Sequence, residues 1–147
     1  MSKWILAIAA LLPAAPALGA EQVALANRVF VEREDGDARV LEPAKALRRG
    51  DRLVYLVSWR APQARAERFT ITNPLPRSVA YERSATGAED VSVDGGRTWG
   101  KLEALRVRDG SRWRVATPED VTHVRWQVPA KLALAGSGKL TWSGIVR

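Results

Sequence analysis

Two acidic clusters and one histidine are the side chains in this sequence that could perform catalysis. The clusters are Glu34–Asp37 and Glu89–Asp94, and paired carboxylates can hydrolyse a glycosidic bond or bind calcium. Neither cluster has the spacing of a calcium loop, and solvated turns use the same residues. The sequence contains no G-x-S-x-G turn, so there is no candidate serine nucleophile for His123 to activate. We therefore predict a chain that is not an enzyme, with no catalytic residue, no metal site and no cofactor.

A second set of residues could bind a ligand without reacting with it. Arg112 and Arg114 flank Trp113, while His123 and Arg125 alternate with apolar residues later in the chain. A guanidinium group matches the geometry of carboxylate and phosphate oxygens, and an indole ring presents a broad apolar face. These five residues predict a surface for an anionic polymer or another carbohydrate. The alternative is a solvated surface without a ligand, because the arginines are scattered along the chain.

The first twenty residues have the layout of a secretory signal peptide. Lys3 precedes the apolar run Trp4–Leu12, and small residues follow that run as far as Ala20. The run is shorter than the roughly 20 residues that span a bilayer. The alternative is a buried N-terminal helix or a membrane anchor. We expect cleavage after Ala17, Gly19 or Ala20, which leaves one mature domain at residues 21–147 with no stable membrane span.

The composition predicts a bacterial protein of the periplasm or the cell exterior. The chain has no cysteine, whereas eukaryotic secreted domains of this size often depend on disulfides. The net charge is +7, and 18 of the 23 basic residues are arginine. We do not expect an exported protein to bind nucleic acid. We therefore expect the partner to be another envelope protein or an anionic surface polysaccharide.

Short alternating runs of apolar and polar residues predict an all-β protein. Two packed antiparallel sheets of about seven to eight strands are the natural solution for such a chain, in an immunoglobulin-like β-sandwich. Arg39–Glu42 is predicted to be a short edge segment and Ala44–Arg49 a helical turn. The predicted strands are Gln22–Arg33, Leu53–Trp59, Glu67–Thr72, Val79–Arg83, Leu102–Arg108, Ser111–Ala116, Val121–Val128 and Leu140–Val146. Leu53–Trp59 is apolar on both faces, so we expect it at the centre of a sheet.

The segment Ser92–Trp99 has the strongest local pattern in the chain. Two adjacent glycines can take positive φ angles, so the backbone can reverse tightly after Asp94. The pattern S-x-D-x-G-x-T-W is similar to the Asp-box of sialidases and related β-propellers, in which the aspartate accepts backbone N–H groups. One copy in a chain too short for a propeller indicates a structural turn. The predicted turn residues are Ser92, Asp94, Gly95, Gly96, Thr98 and Trp99.

Tryptophan is abundant for a chain of this length. The five tryptophans that follow the signal peptide are Trp59, Trp99, Trp113, Trp126 and Trp142. Each ring can bury about 200 Å², which would help to stabilise a sandwich without disulfides. We predict that the Asp-box-like turn places Trp99 in the core. The alternative for any one of these rings is an exposed platform that stacks on sugars.

Several segments in the central part of the chain follow one another in a recognisable order. They are Gly50-Asp51-x-Leu53-Val54-Tyr55, Phe69-Thr70-Ile71-Thr72-Asn73-Pro74-Leu75-Pro76, Val79-x-Tyr81, Ser84-Ala85 and the Ser92–Trp99 hairpin. This order resembles a bacterial family of secreted and surface proteins, the "conserved repeat" family called domain of unknown function eleven. The resemblance covers about Arg49 to Leu102 and departs from the family pattern at Trp59-Arg60 and at Asn73-Pro74. The resemblance implies an immunoglobulin-like, exported, non-catalytic domain. It assigns no functional residues to this chain.

Overall fold

The computed structural model describes residues 23–61 and 67–147, and the predicted signal peptide lies outside them. The described residues form ten strands, one short helix, α1 (Ala130–Ala133), and two 3₁₀ turns, Leu102–Ala104 and Pro118–Asp120. The strands are β1 (Ala24–Asp35), β2 (Ala38–Pro43), β3 (Arg52–Arg60), β4 (Phe69–Pro74), β5 (Val79–Ser84), β6 (Asp90–Ser92), β7 (Arg106–Asp109), β8 (Arg112–Val115), β9 (His123–Val128) and β10 (Ser137–Val146).

The strands form antiparallel sheets, which confirms the predicted all-β sandwich. One sheet has five strands in the order β2-β1-β3-β10-β5, and a second has three in the order β4-β9-β6. Buried side chains from both sheets form one core cluster, as expected when two sheets pack face to face. β7 and β8 form a separate two-stranded hairpin.

The central position predicted for β3 is confirmed. β3 pairs with β1 on one side and with β10 on the other. Leu53, Tyr55, Val57 and Trp59 are buried, and the alternate residues between them are half-buried on the outer face of the sheet. A strand with a neighbour on each side can bury apolar residues on both of its faces.

Aromatic packing fills the core at β3 and β10. Trp142 stacks on Tyr55 with their ring centroids 3.9 Å apart, and Trp59 meets Phe69 edge-to-face at 5.2 Å. Gly138 lies beside Trp59 in the β3–β10 register. A Cβ atom at Gly138 would lie 2.6 Å from the indole ring, so glycine is required for this close approach.

Two local predictions were wrong. Leu102–Ala104 is a 3₁₀ turn and not the beginning of a strand. Leu102 and Leu105 both pack against the core, and a 3₁₀ turn places residues three apart on the same side, which a strand does not. Ala44–Arg49 forms no helical turn, and the Arg48 backbone N–H instead donates to the Asp51 carboxylate at 2.7 Å.

Candidate functional site

The Asp-box-like loop is organised around the carboxylate of Asp94. Its Oδ1 accepts the backbone N–H groups of Arg97 at 3.0 Å and Thr98 at 2.9 Å, and Oδ2 accepts the Thr98 hydroxyl at 2.7 Å. Ser92 donates to the same carboxylate at 2.8 Å and accepts the Gly96 N–H at 2.9 Å. These donors, with the Thr98 backbone N–H first among them, hold the pKa of Asp94 well below its usual value.

The backbone of this loop has the predicted conformation. Gly95 and Gly96 have φ angles of 78° and 89°. Two backbone hydrogen bonds between Val91 and Gly100 close the loop, at 2.8 and 3.1 Å. The predicted structural turn therefore exists, and the Gly95 N–H also ties it to the Thr122 hydroxyl at 3.1 Å.

The prediction that this loop places Trp99 in the core was wrong. Trp99 is half-buried and lies outside the core cluster. Its Nε1 donates to the Gly96 carbonyl at 2.9 Å, and the Arg125 guanidinium carbon lies 4.3 Å from the ring centroid. Arg125 and His123 project from the face of β9 opposite Val124 and Trp126, and the Trp99 ring packs on that outer face.

Two of the predicted ligand-binding residues, His123 and Arg125, are engaged within the protein. Arg125 pairs with Asp90 at 3.1 Å while it covers the Trp99 ring. The His123 ring nitrogen Nδ1 lies 3.0 Å from the Thr122 hydroxyl, and the ring meets Trp99 edge-to-face. These contacts stabilise the outer face of β9 and leave little of either group for a ligand.

The other three predicted residues lie on the β7–β8 hairpin, where strand alternation separates them. In the hairpin register Arg108 is opposite Trp113 and Arg106 is opposite Val115. Directly opposed residues share a face and sequence neighbours take opposite faces. Trp113 therefore shares its face with Arg106, Arg108 and Val115, whereas Arg112 and Arg114 lie on the other face. The predicted Arg112–Trp113–Arg114 cluster does not form.

We call the side of the hairpin that carries Arg106, Arg108, Trp113 and Val115 the hairpin face. Trp113 is 65% exposed and Val115 45% exposed, and both arginines are also exposed. No acidic side chain lies on the hairpin face. The sequence analysis missed Arg106 and Arg108, although the turn at Asp109-Gly110 and the period-two rule were sufficient to place them beside Trp113.

The opposite side of the hairpin anchors it to the rest of the protein. Arg114 makes two hydrogen bonds to the Asp120 carboxylate, at 2.6 and 2.9 Å, and Asp120 also accepts the Thr117 N–H at 2.7 Å. Arg114 is the main cause that lowers the pKa of Asp120 to about 2, and in return the pKa of Arg114 is raised. The Ala116 N–H donates to the Leu105 carbonyl at 2.9 Å and closes the base of the hairpin.

The carboxylates of the two acidic clusters do not converge on one site. Glu34 and Asp35 are exposed at the end of β1, and Asp37 is exposed in the turn between β1 and β2. In the second cluster Asp90 pairs with Arg125, while Glu89 is buried and accepts the hydroxyls of Ser84 and Tyr81. Burial alone would raise the pKa of Glu89, but these hydrogen bonds outweigh it and lower the pKa. Within residues 23–61 and 67–147, no three or more His, Asp or Glu side chains are grouped to hold a metal ion.

Comparisons with known proteins give no relative from which a function could be transferred. No family model, no curated protein and no solved structure matches this chain. In the described part of the chain, no helix is long and apolar enough to cross a membrane.

Proposed function

We propose that this protein is an exported, non-catalytic binding module whose hairpin face contacts an anionic polysaccharide. The observation that carries the proposal is Trp113, a large indole that is 65% exposed and lies directly opposite Arg108. Burying such a ring would stabilise the protein by about 2 kcal/mol, and this stabilisation is missing while the ring is in water. Its exposure on a cationic face therefore favours a ligand-binding role.

The two residue types on the hairpin face match two parts of an acidic sugar. An indole can stack on the apolar face of a sugar ring, and a guanidinium fork can donate two hydrogen bonds to a carboxylate or sulfate. Arg106 and Arg108 lie two residues apart on the same strand face, about 7 Å along the strand. A repeating acidic polymer could therefore contact both cations and the ring at once.

The attachment of the hairpin supports this role. The Arg114–Asp120 pair and the Ala116–Leu105 hydrogen bond fix the hairpin at its base without using any residue of the hairpin face. A fixed platform loses less conformational entropy when a ligand binds. The affinity of the hairpin face would thus be determined by Trp113 and the two exposed arginines.

Export to the periplasm or the cell exterior is part of the proposal. It is supported by Lys3, the apolar run Trp4–Leu12 and the small residues before Glu21. N-terminal sequencing of protein recovered from the periplasm or medium of an expressing bacterium tests it. We expect a mature N-terminus directly after Ala17, Gly19 or Ala20, and recovery of the intact chain in the cytoplasm would contradict export.

Titration of the mature protein with polygalacturonate, with neutral dextran as the comparison, tests the binding role. We expect saturable binding of polygalacturonate only, weakened about tenfold or more by Trp113→Ala. Arg106→Gln and Arg108→Gln should each weaken binding about threefold to tenfold, because each removes a charge-assisted contact.

Arg112→Gln is the matched control for these variants. It removes the same charge from the same hairpin but on the opposite face, so it should leave the affinity nearly unchanged. An equal loss in Arg112→Gln would mean that net charge alone attracts the polymer, and the hairpin face would not be the site. If no acidic polysaccharide binds but an envelope protein is retained by the wild type and not by Trp113→Ala, the partner is a protein and the polysaccharide proposal is wrong.

A further inference from the structure

An apolar groove lies beside Trp59 at the other end of the sandwich. The β7–β8 hairpin lies at the end where β9 begins, whereas this groove lies where β9 ends and β10 begins. The groove has a volume of about 490 Å³ and lies between Trp59, Trp126 and α1. This volume is typical of a small-molecule site.

Trp59 and Gly138 form one wall of the groove. The Trp59 ring lies directly on the backbone of Gly138, where a Cβ atom would be only 2.6 Å away. This close packing fixes the position of the ring. The groove is therefore an apolar space with a rigid aromatic wall.

An apolar side chain at the mouth of the groove is exposed. Leu132 of α1 lines the groove and is 55% exposed. Val128, Pro129 and Leu140 continue the apolar wall inward from Leu132. Covering these surfaces with an apolar group would release the water that now contacts them, which favours binding.

The charge at the groove has one sign. Lys139 lines the groove, and no aspartate or glutamate lines it among the residues that the structure describes. Lys139 projects from β10 opposite Ser58, on the rim. A ligand that complements an apolar groove with a cationic rim has an apolar tail and an anionic head.

We propose that this groove binds an anionic single-chain amphiphile such as a fatty acid. The acyl chain lies in the groove against Trp59 and Trp126, and the carboxylate lies at the rim with Lys139. This site shares no residue with the hairpin face, so each can fail without the other.

The test is titration of the whole mature protein with ω-bromododecanoate, whose bromine quenches an indole only on close contact. We expect saturable quenching of tryptophan emission, because the brominated tail would lie against Trp59 and Trp126. Leu132→Asp should weaken binding about tenfold, since it places a like charge and removes apolar surface at the mouth.

Leu134→Asp is the matched control for that variant. Leu134 has nearly the same exposure, 57%, and lies two residues away, but it does not line the groove. The control should bind the probe as the wild type does. Equal weakening in both variants, or the absence of saturable quenching in the wild type, would overturn the proposal.

The head-group assignment is tested with Lys139→Gln. This variant should bind dodecanoate about threefold more weakly and bind dodecanol as the wild type does. A wild type that binds dodecanol as tightly as dodecanoate would overturn the anionic assignment. Binding to phosphatidylglycerol vesicles without any binding of free dodecanoate would overturn the single-chain assignment.

Discussion

The two ends of the sandwich hold their shapes by different means. At the hairpin end, side chains such as Asp94 and Asp120 accept backbone N–H groups, and loops are fixed by hydrogen bonds. At the groove end, Trp59 packs against Phe69 and the bare backbone of Gly138. The first end can expose a large aromatic ring because its stability does not depend on burying it. The second end depends on its ring, and the same packing leaves the groove beside it.

The largest expected difference between the two ends is in the stability effect of removing a tryptophan. Trp59→Ala should lower the free energy of unfolding by about 3–5 kcal/mol, because a buried ring in the core is replaced by a cavity. Trp113→Ala should change it by no more than about 0.5 kcal/mol, because the ring is mostly in water. Urea unfolding followed by circular dichroism measures both. A large loss for Trp113→Ala would show that the hairpin face is packed and not free for a ligand.

Two glycines provide the next comparison. Gly138→Ala should destabilise the fold by about 1–3 kcal/mol, because its Cβ would overlap the Trp59 ring. Gly95→Ala should cost about 1–2 kcal/mol for a different reason, since its φ of 78° is unfavourable for alanine although nothing lies within 4 Å of a Cβ there.

Thermal melts give the two losses, and the Trp59 side-chain environment distinguishes their causes. Near-ultraviolet circular dichroism should change in Gly138→Ala and stay as in the wild type in Gly95→Ala. An unchanged spectrum with no loss of stability in Gly138→Ala would mean that the Trp59 ring is not held against Gly138, and the packing described for this wall of the groove would be wrong.

Local sequence patterns were enough to predict the sheets and the Asp-box-like loop. The apolar residues on both faces of β3 identified a central strand, and the alternation in β9 identified its buried face. The S-x-D-x-G-x-T-W pattern identified a loop held by hydrogen bonds to its aspartate. These features depend on residues close together in the chain. The side of β9 on which the Trp99 ring packs depends on Arg125, 26 positions later, and no local pattern encodes it.

The groove could not be predicted for the same reason. Its shape follows from the register that sets Gly138 beside Trp59, 79 positions apart, and from α1 closing one side. The separation of Trp113 from Arg112 and Arg114 could have been predicted, because neighbouring residues in a strand point to opposite faces. The prediction of one ligand surface from these three neighbours did not take that alternation into account.

Acid should loosen the hairpin end before the groove end. The pKa of Asp120 is about 2 in the folded protein, below its ordinary value of 3.8, because Arg114 donates to the ionised carboxylate. The stability that this pair contributes is therefore complete above about pH 4 and is lost as the pH falls through about 2. Asp94, whose pKa is also lowered, contributes in the same direction.

Amide hydrogen exchange measured between pH 5 and pH 2.5, corrected for intrinsic rates, checks this prediction. Protection in β7 and β8 should fall over this range relative to β3 and β10, and Asp120→Asn should have low hairpin protection already at pH 5. A loss of protection that is uniform over all strands would mean that the two ends unfold as one unit.

The smallest expected effect concerns Arg114, which holds the hairpin but does not lie on the hairpin face. Arg114→Gln removes both hydrogen bonds to Asp120 and leaves Trp113, Arg106 and Arg108 in place. Polygalacturonate affinity should fall only about twofold to threefold, because a looser platform loses more entropy on binding. Hydrogen exchange in β8 should rise in the same variant, whereas Arg112→Gln should change neither quantity. If Arg114→Gln weakens binding as strongly as Arg108→Gln without any change in exchange, Arg114 contacts the polymer itself, and the ligand must reach both sides of the hairpin.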